Sequence, residues 1–205
     1  MENRQVIISI SREFGSGGHE IAERLSKIFD LPFYDRNLLD EIAGEKKVKV
    51  ENLQRYDEAP KNHIFSRTVR GHSSSPEINI AEMQFDWIKK KAQSGESFVI
   101  VGRCSETVLK GHEGLITIFV LGNMEAKIER IMERYDLNRK DAISKINRHD
   151  KNRQAYHNHH SDMKWGDSRN YDLCINSSSL GEEQTINILE DYVRKRMEQE
   201  WHKYE

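Results

Sequence analysis

No stretch of this chain stays apolar over the roughly 18 residues that a membrane-spanning helix requires. The opening segment, MENRQVIISIS, lacks the charged-then-apolar order of a secretion signal, so the expected location is the cytoplasm. Cysteine is scarce. Cys104 and Cys174 are the only two, far apart and each beside an apolar run. That pattern is read as two buried thiols rather than as a disulfide or a metal pair. An excess of one charge is missing as well: acidic and basic residues nearly cancel, leaving a formal net charge of -2. No global basic field points to nucleic acid, and any anion site must be local. Apolar residues make up only 36% of the chain and charged ones 32%, which fits a soluble protein with long polar helices. Its 205 residues suit one domain with a continuous core.

Four apolar runs read as strands: QVIISI (5–10), SFVIVG (97–102), LITIFVLG (115–122) and YDLCINS (171–177), with LPFYD (31–35) as a shorter candidate. They are rich in β-branched residues and do not alternate strictly, as expected of a parallel sheet buried on both faces. Helical patterns lie between them. Ile21, Leu25 and Ile28 share a face from about Gly18 to Phe29; Met124, Ile128, Ile131, Met132 and Tyr135 form a second stripe. Ile186, Leu189, Val193 and Met197 form a third, with Ser179 and Glu182 at capping-box spacing ahead of it. Alternating strands and helices indicate an α/β fold with a parallel sheet. Two polar segments interrupt the alternation and read as inserts over one end of the sheet: residues 44–77, and residues 136–170, helical at first and then rich in His, Asn and Asp.

The segment ISREFGSGGHEIAERL (10–25) places a glycine-rich turn between a strand and a helix. Glycines let backbone N–H groups converge on an anion, and the helix N-terminus favours negative charge. Gly15, Gly17 and Gly18 supply the freedom, Ser16 a hydroxyl, and Arg12 a charge. The phosphate-loop pattern G-x-x-x-x-G-K-[ST] nevertheless fails. With Gly17 as its second glycine, Arg12 stands at the first, Gly18 at the lysine, and His19, or Glu20 in another phasing, at the Ser/Thr. A dinucleotide fingerprint, with Asp35 as the ribose acid, fails at its third glycine, where Glu20 stands. A plain strand-to-helix turn remains the simplest alternative.

Charged residues elsewhere fit an anion site. Arg148, Asp150, Lys151 and Arg153 crowd six positions, and a lid carrying two arginines can stabilise charge on a transferring phosphoryl group. The alternative is a solvated charged helix. Arg103 follows a central strand at its carboxyl end, where open α/β sheets bind ligands; a surface ion pair with Glu106 is its simpler reading. Asp35 ends the short second strand and could orient an acceptor hydroxyl or a phosphate-bound magnesium ion, or merely cap the helix at 37–43. His157, His159 and His160 lack a known ligand spacing and read as part of a lid loop, with Trp165 as an anchor at its hinge.

Taken together, ISISREFGSGGHEIAERLS, LPFYDRNLL, VGRCSETVL, RHDKNRQAYHNHHSDMKWGD and YDLCINSSSLGEE resemble the cytidylate kinase-like family, a branch of the nucleoside monophosphate kinases, over nearly the whole chain. The resemblance implies a P-loop NTPase-like, three-layer α/β/α fold. It implies a five-stranded parallel sheet in the order 2-3-1-4-5, a helical monophosphate-binding insert at 44–95 and a lid at about 136–168, with the core formed by 1–43, 96–135 and 169–205. It further implies phosphoryl transfer from ATP to a nucleoside monophosphate, with CMP and dCMP as the candidates, and Mg2+. On that reading Gly15, Ser16, Gly17, Gly18 and His19 hold the ATP phosphates. Arg148 and Arg153 match the lid arginines at the transferring group and Arg103 an arginine at the acceptor; the residues themselves add Arg12 as a replacement for the lysine's charge, Asp35 and Arg36 as acceptor candidates, and Glu20 and Asp35 as candidates for the metal. The sequence departs from true cytidylate kinases where the loop lysine and its Ser/Thr are absent, where Val101 and Cys104 replace acids around the G-R pair, and where Glu41 replaces an arginine. Those departures keep two alternatives open: a nucleotide- or phosphate-binding module without turnover, and a kinase for a non-nucleotide acceptor. The C-terminal helix, with Trp201, is a candidate for pairing with a second copy.

Overall fold

The computed structural model describes residues 4–35, 37–46, 68–69, 72–73 and 76–198. In chain order the elements are β1 (Ile7–Arg12), α1 (Gly18–Ile28), β2 (Phe33–Tyr34), α2 (Leu38–Lys46), β3 (Thr68–Val69), β4 (His72–Ser73) and α3 (Pro76–Gln93). There follow β5 (Phe98–Val101), α4 (Ser105–Val108), β6 (Leu115–Leu121), α5 (Met124–Tyr135), α6 (Arg139–His160), β7 (Leu173–Asn176) and α7 (Ser177–Glu198). β3 and β4 form a small antiparallel pair. The other five strands make one parallel sheet in the order β2-β5-β1-β6-β7, which is 2-3-1-4-5 in chain order.

Both faces of the sheet are covered, and the two-residue period of a strand shows how. Ile7, Phe98, Ile100 and Leu115 point to one side, where they meet Leu38, Leu39 and Ile42 of α2 and Trp87 and Ile88 of α3. Ile8, Ile10, Val99, Val101, Ile116 and Ile118 point to the other, against Ile21 and Leu25 of α1 and Ile186, Leu189 and Val193 of α7. A strand apolar on both faces must lie between two helical layers. Among the described residues, no helix is long and apolar enough to cross a membrane.

The structure shifts several sequence-based boundaries. β1 runs on through Ser11 and Arg12, which pair with Phe119 and Val120 of β6, so the strand ends two residues later than its apolar run. Met124, Tyr135 and Met197 are exposed, so the stripes of α5 and α7 are shorter at their ends than expected. The capping pair Ser179–Glu182 does not open α7. Helical structure begins at Ser177, whose hydroxyl bonds the Ser16 and Leu121 carbonyls, and the helix kinks at Gly181 (φ 77°). The lid region is helical much further than its composition suggests: α6 continues through the histidines to His160. The latter part of the 44–95 insert is core, since α3 buries Trp87, Ile88 and Ala92. Arg36, Trp201 and residues 47–67 lie outside the described residues.

Candidate active site

The carboxyl ends of β1, β5 and β6 open onto one end of the sheet, and the glycine loop sits there. Gly15 (φ 84°) and Gly17 (φ 78°) take left-handed conformations, which glycine adopts without steric cost. Gly18 is glycine for a different reason. A Cβ there would stand 2.6 Å from the Cβ of Arg12 and 3.2 Å from that of Val120. The lysine position of the usual loop is therefore filled from outside by the stem of Arg12. Ser16 is fully buried, and its hydroxyl is turned inward: it donates to the Glu13 carbonyl (2.9 Å) and accepts from Gly18 N–H (3.3 Å). It braces the loop, contrary to the expected hydroxyl facing a ligand.

Beside the loop, one carboxylate stands among two guanidinium groups and an imidazole. Asp35 accepts from His19 (Nδ1 to Oδ2, 3.0 Å), while Arg12 Nη2 lies 3.8 Å and Arg103 Nη2 3.9 Å from its Oδ1. Burial by itself would push the Asp35 carboxyl up. The His19 hydrogen bond and the two guanidinium charges outweigh it and hold the group well below the usual carboxylate range. The same hydrogen bond raises His19, against a partial desolvation that lowers it.

Behind the loop the arrangement is inverted. Lys127 of α5 is only 3% exposed. Its Nζ donates to Glu13 Oε2 (3.1 Å) and to Asp150 Oδ2 (3.0 Å) of α6. The backbone N–H groups of Gly122 and Phe14 complete the cluster, donating to Glu13 (3.2 Å) and to Asp150 Oδ1 (2.6 Å).

A cavity of about 360 Å³ opens over the loop, a volume within the range of small-molecule sites. Arg12, Gly15, Gly17, Gly18, His19 and Asp35 form its floor. Arg153 of α6 and Arg130 and Arg134 of α5 form its cationic wall, with Phe14 and Tyr135 as aromatic neighbours. Arg130 donates to the Gly15 carbonyl (2.7 Å), Arg153 to the Arg12 carbonyl (3.2 Å), and Arg134 pairs with Glu20 (2.6 Å). Of the two metal candidates, Glu20 pairs with Arg134, and Asp35 accepts from His19 with two arginines nearby. Among the described residues, no three His, Cys, Asp or Glu side chains gather as a metal site.

A tighter cavity, about 20 Å³, lies between Arg103, Cys104, Arg153, Tyr156, His157 and Trp165. Its floor is an unusual turn after β5, in which Gly102, Arg103 and Cys104 are all left-handed (φ 75°, 62° and 52°). For a non-glycine residue that conformation costs roughly 1–2 kcal/mol. The turn sends the Arg103 side chain inward, leaving the residue 2% exposed. The alternative of an Arg103–Glu106 surface ion pair does not match: Arg103 faces Asp35, and Glu106 is hydrogen-bonded to His157 (2.7 Å) and to the Ser11 hydroxyl (3.2 Å). The histidine group thus belongs to α6 rather than to a loop. His157 is buried against Glu106, and burial pushes His160 down to about 4, so its ring carries no charge near neutral pH. Trp165 does act as an anchor, packed edge-on to Phe119. Cys104 is buried and Cys174 half-buried, both as free thiols.

The fold therefore gathers Arg12, Gly15, Gly17, Gly18, His19, Asp35, Arg103 and Arg153 at one end of the sheet. Arg148 is not among them: it is exposed on α6 and does not line the cavity. Lys127, Arg130 and Arg134 escaped the sequence reading. Their signal was present, since positions 127, 130 and 134 repeat at i, i+3 and i+7 and share a helix face.

The family model described as the cytidylate kinase-like family matches residues 7–179. The chain is similar to a crystal structure of an uncharacterized protein from Eubacterium ventriosum ATCC 27560, with 36% identity and a TM-score of 0.74 over 93% of this chain and 99% of that one. It also resembles a shikimate kinase from Bacteroides thetaiotaomicron (12% identity, TM-score 0.55, 92% of this chain and 98% of that one). A gluconokinase from Sinorhizobium meliloti 1021 is a further fold relative (11% identity, TM-score 0.50, 95% and 96%). No curated protein matches.

Proposed function

This chain belongs to the cytidylate kinase-like family, and from that premise we propose that it transfers the γ-phosphoryl group of ATP to a nucleoside monophosphate. The observation that carries this reading is the contact between positions 12 and 18. The stem of Arg12 takes the space that a side chain at position 18 would need, and Arg12 lines the cavity over the glycine loop, so its charge can stand in for that of the absent lysine. On this reading Gly15, Gly17 and Gly18 let the loop close on the ATP phosphates, and His19 and Arg12 face them. Arg153 and Arg130 reach the same anion from α6 and α5. Such preorganised cations stabilise charge as the phosphoryl group moves between donor and acceptor. Arg103 and Asp35 stand at the acceptor end. Magnesium bound with ATP would neutralise phosphate charge, and Asp35 and Glu20 are carboxylates that line the same cavity.

A second reading is a kinase for a small non-nucleotide acceptor. It is favoured by Glu41 at the position where cytidylate kinases carry an arginine. The test is ADP release from MgATP against a panel of nucleoside monophosphates, including CMP and dCMP, and of small hydroxy acids. The primary reading expects turnover with a monophosphate, and the second with a hydroxy acid alone. Firm ATP binding with no turnover on any acceptor would leave a binding module. Unchanged ATP affinity and rate in Arg12→Ala would remove Arg12 from the proposed site.

A further inference from the structure

The polar segment after α5 has the composition of a mobile lid, yet three consecutive-face residues of α6 grip the glycine loop directly. His149 stacks on the Phe14 ring at 4.2 Å and 9°. Asp150 accepts the Phe14 N–H on one oxygen and Lys127 on the other. Arg153 lies over the same ring at 5.6 Å and donates to the Arg12 carbonyl. An apolar seam runs beneath these contacts: Ile128 and Ile131 of α5 pack with Ala142 and Ile146 of α6, and Phe14 packs against them. The loop is pressed onto α5 as well, since a Cβ at Gly15 would come within 3.3 Å of Lys127 Cβ and 3.1 Å of Ile131 Cγ1.

We propose that Asp150 is a positioning residue. Through Lys127 and the Phe14 amide it fastens the middle of α6 to the glycine loop and so fixes Arg153 at the cavity before any ligand arrives. A carboxylate that accepts from a buried lysine and from a backbone N–H has both oxygens committed, and it couples three elements that the sequence leaves independent. Arg153 stands three residues further along the same helix and inherits that placement. This part of α6 is then a fixed wall of the site.

The catalytic half of the proposal rests on the phosphoryl-transfer reading, so its test has two readouts. The first is amide hydrogen exchange. In the wild-type chain without nucleotide, the Phe14 amide is expected to exchange as slowly as the amides of β1. In Asp150→Asn, which removes the charge facing Lys127, it should exchange at least about tenfold faster. Rapid exchange at Phe14 in the wild type, or an unchanged rate in the variant, overturns the proposal, and the wild-type half needs no variant to fold. The second readout is ADP release by Asp150→Asn, Arg153→Ala and the double variant. If Asp150 acts through Arg153, Asp150→Asn lowers kcat about tenfold or more with little change in KM for ATP, and the double variant is no slower than Arg153→Ala. Losses that multiply in the double variant refute action through Arg153. A wild-type chain without turnover refutes the phosphoryl-transfer reading instead, and the exchange experiment still decides whether Asp150 fastens α6 to the loop.

Discussion

Two charge clusters flank the glycine loop, and each is nearly the inverse of the other. Behind the loop one cation, Lys127, lies between two carboxylates, and the surplus negative charge is met by the N–H groups of Phe14 and Gly122. Beside the loop one carboxylate, Asp35, lies among Arg12, Arg103 and His19, and the surplus is positive. The first cluster is closed by its own backbone. The second opens on the cavity, where further arginines add to the excess. A closed cluster stabilises the fold; one with unbalanced positive charge at a cavity wall attracts anions.

That contrast is sharpest under substitution. Lys127→Met leaves Glu13 and Asp150 facing each other without their cation, and the expected loss is about 3 kcal/mol in urea unfolding. A loss below about 1 kcal/mol would mean that water already balances this cluster. Gly18→Ala forces a Cβ against the stem of Arg12 and is expected to cost about 1–3 kcal/mol. Placed in an Arg12→Gly background, the same substitution should cost much less. Arg12→Ala acts on the open cluster, so its main effect should fall on ligand binding: pyrophosphate affinity measured by calorimetry drops about tenfold. A large stability loss with unchanged affinity would reverse the assignment of the two clusters.

The smallest effect follows pH. His19 is raised in the folded state, so its pairing with Asp35 contributes fully below the ordinary histidine value of 6.5 and is lost as pH climbs through the raised value. Pyrophosphate affinity should weaken over that same window by about threefold at most, because the ring is half-exposed and screened. His19→Gln should flatten the profile. Asp35 has the opposite sign: its contribution is present above its ordinary value of 3.8 and disappears only as pH falls toward its depressed one.

The sequence exposed the sheet almost completely, since apolar runs buried on both faces have few other destinations. Its ends were harder. Ser11 and Arg12 are polar, yet they continue β1 because β6 offers them backbone partners, and backbone pairing leaves no trace in side-chain pattern. The extent of α6 was hidden in the same way: a run of His, Asn and Asp reads as a loop until Tyr156 and His157 are seen buried on one face of a helix. In the site, glycines and arginines near strand ends were legible because their chemistry is local. Lys127 and Asp150 were not, since they are twenty-three residues apart and meet only through the packing of α5 on α6. Arg148 and Arg153 look equivalent in sequence; helix phase turns one to solvent and the other to the loop.

The lack of room for a Cβ at position 18, which would stand 2.6 Å from that of Arg12, also constrains how this sequence can change over generations. The common loop has glycine first and lysine second; here arginine is first and glycine second. A return to the common form requires both exchanges, Arg12→Gly and Gly18→Lys. Taken singly, the first discards the cation and the second drives a side chain into the arginine stem. Each intermediate is expected to be worse than either end, so neither exchange is expected to be neutral on its own. A single position in an alignment of relatives would show only a lost lysine. The pair of positions, read together, should covary, with any residue larger than glycine at 18 accompanied by glycine at 12.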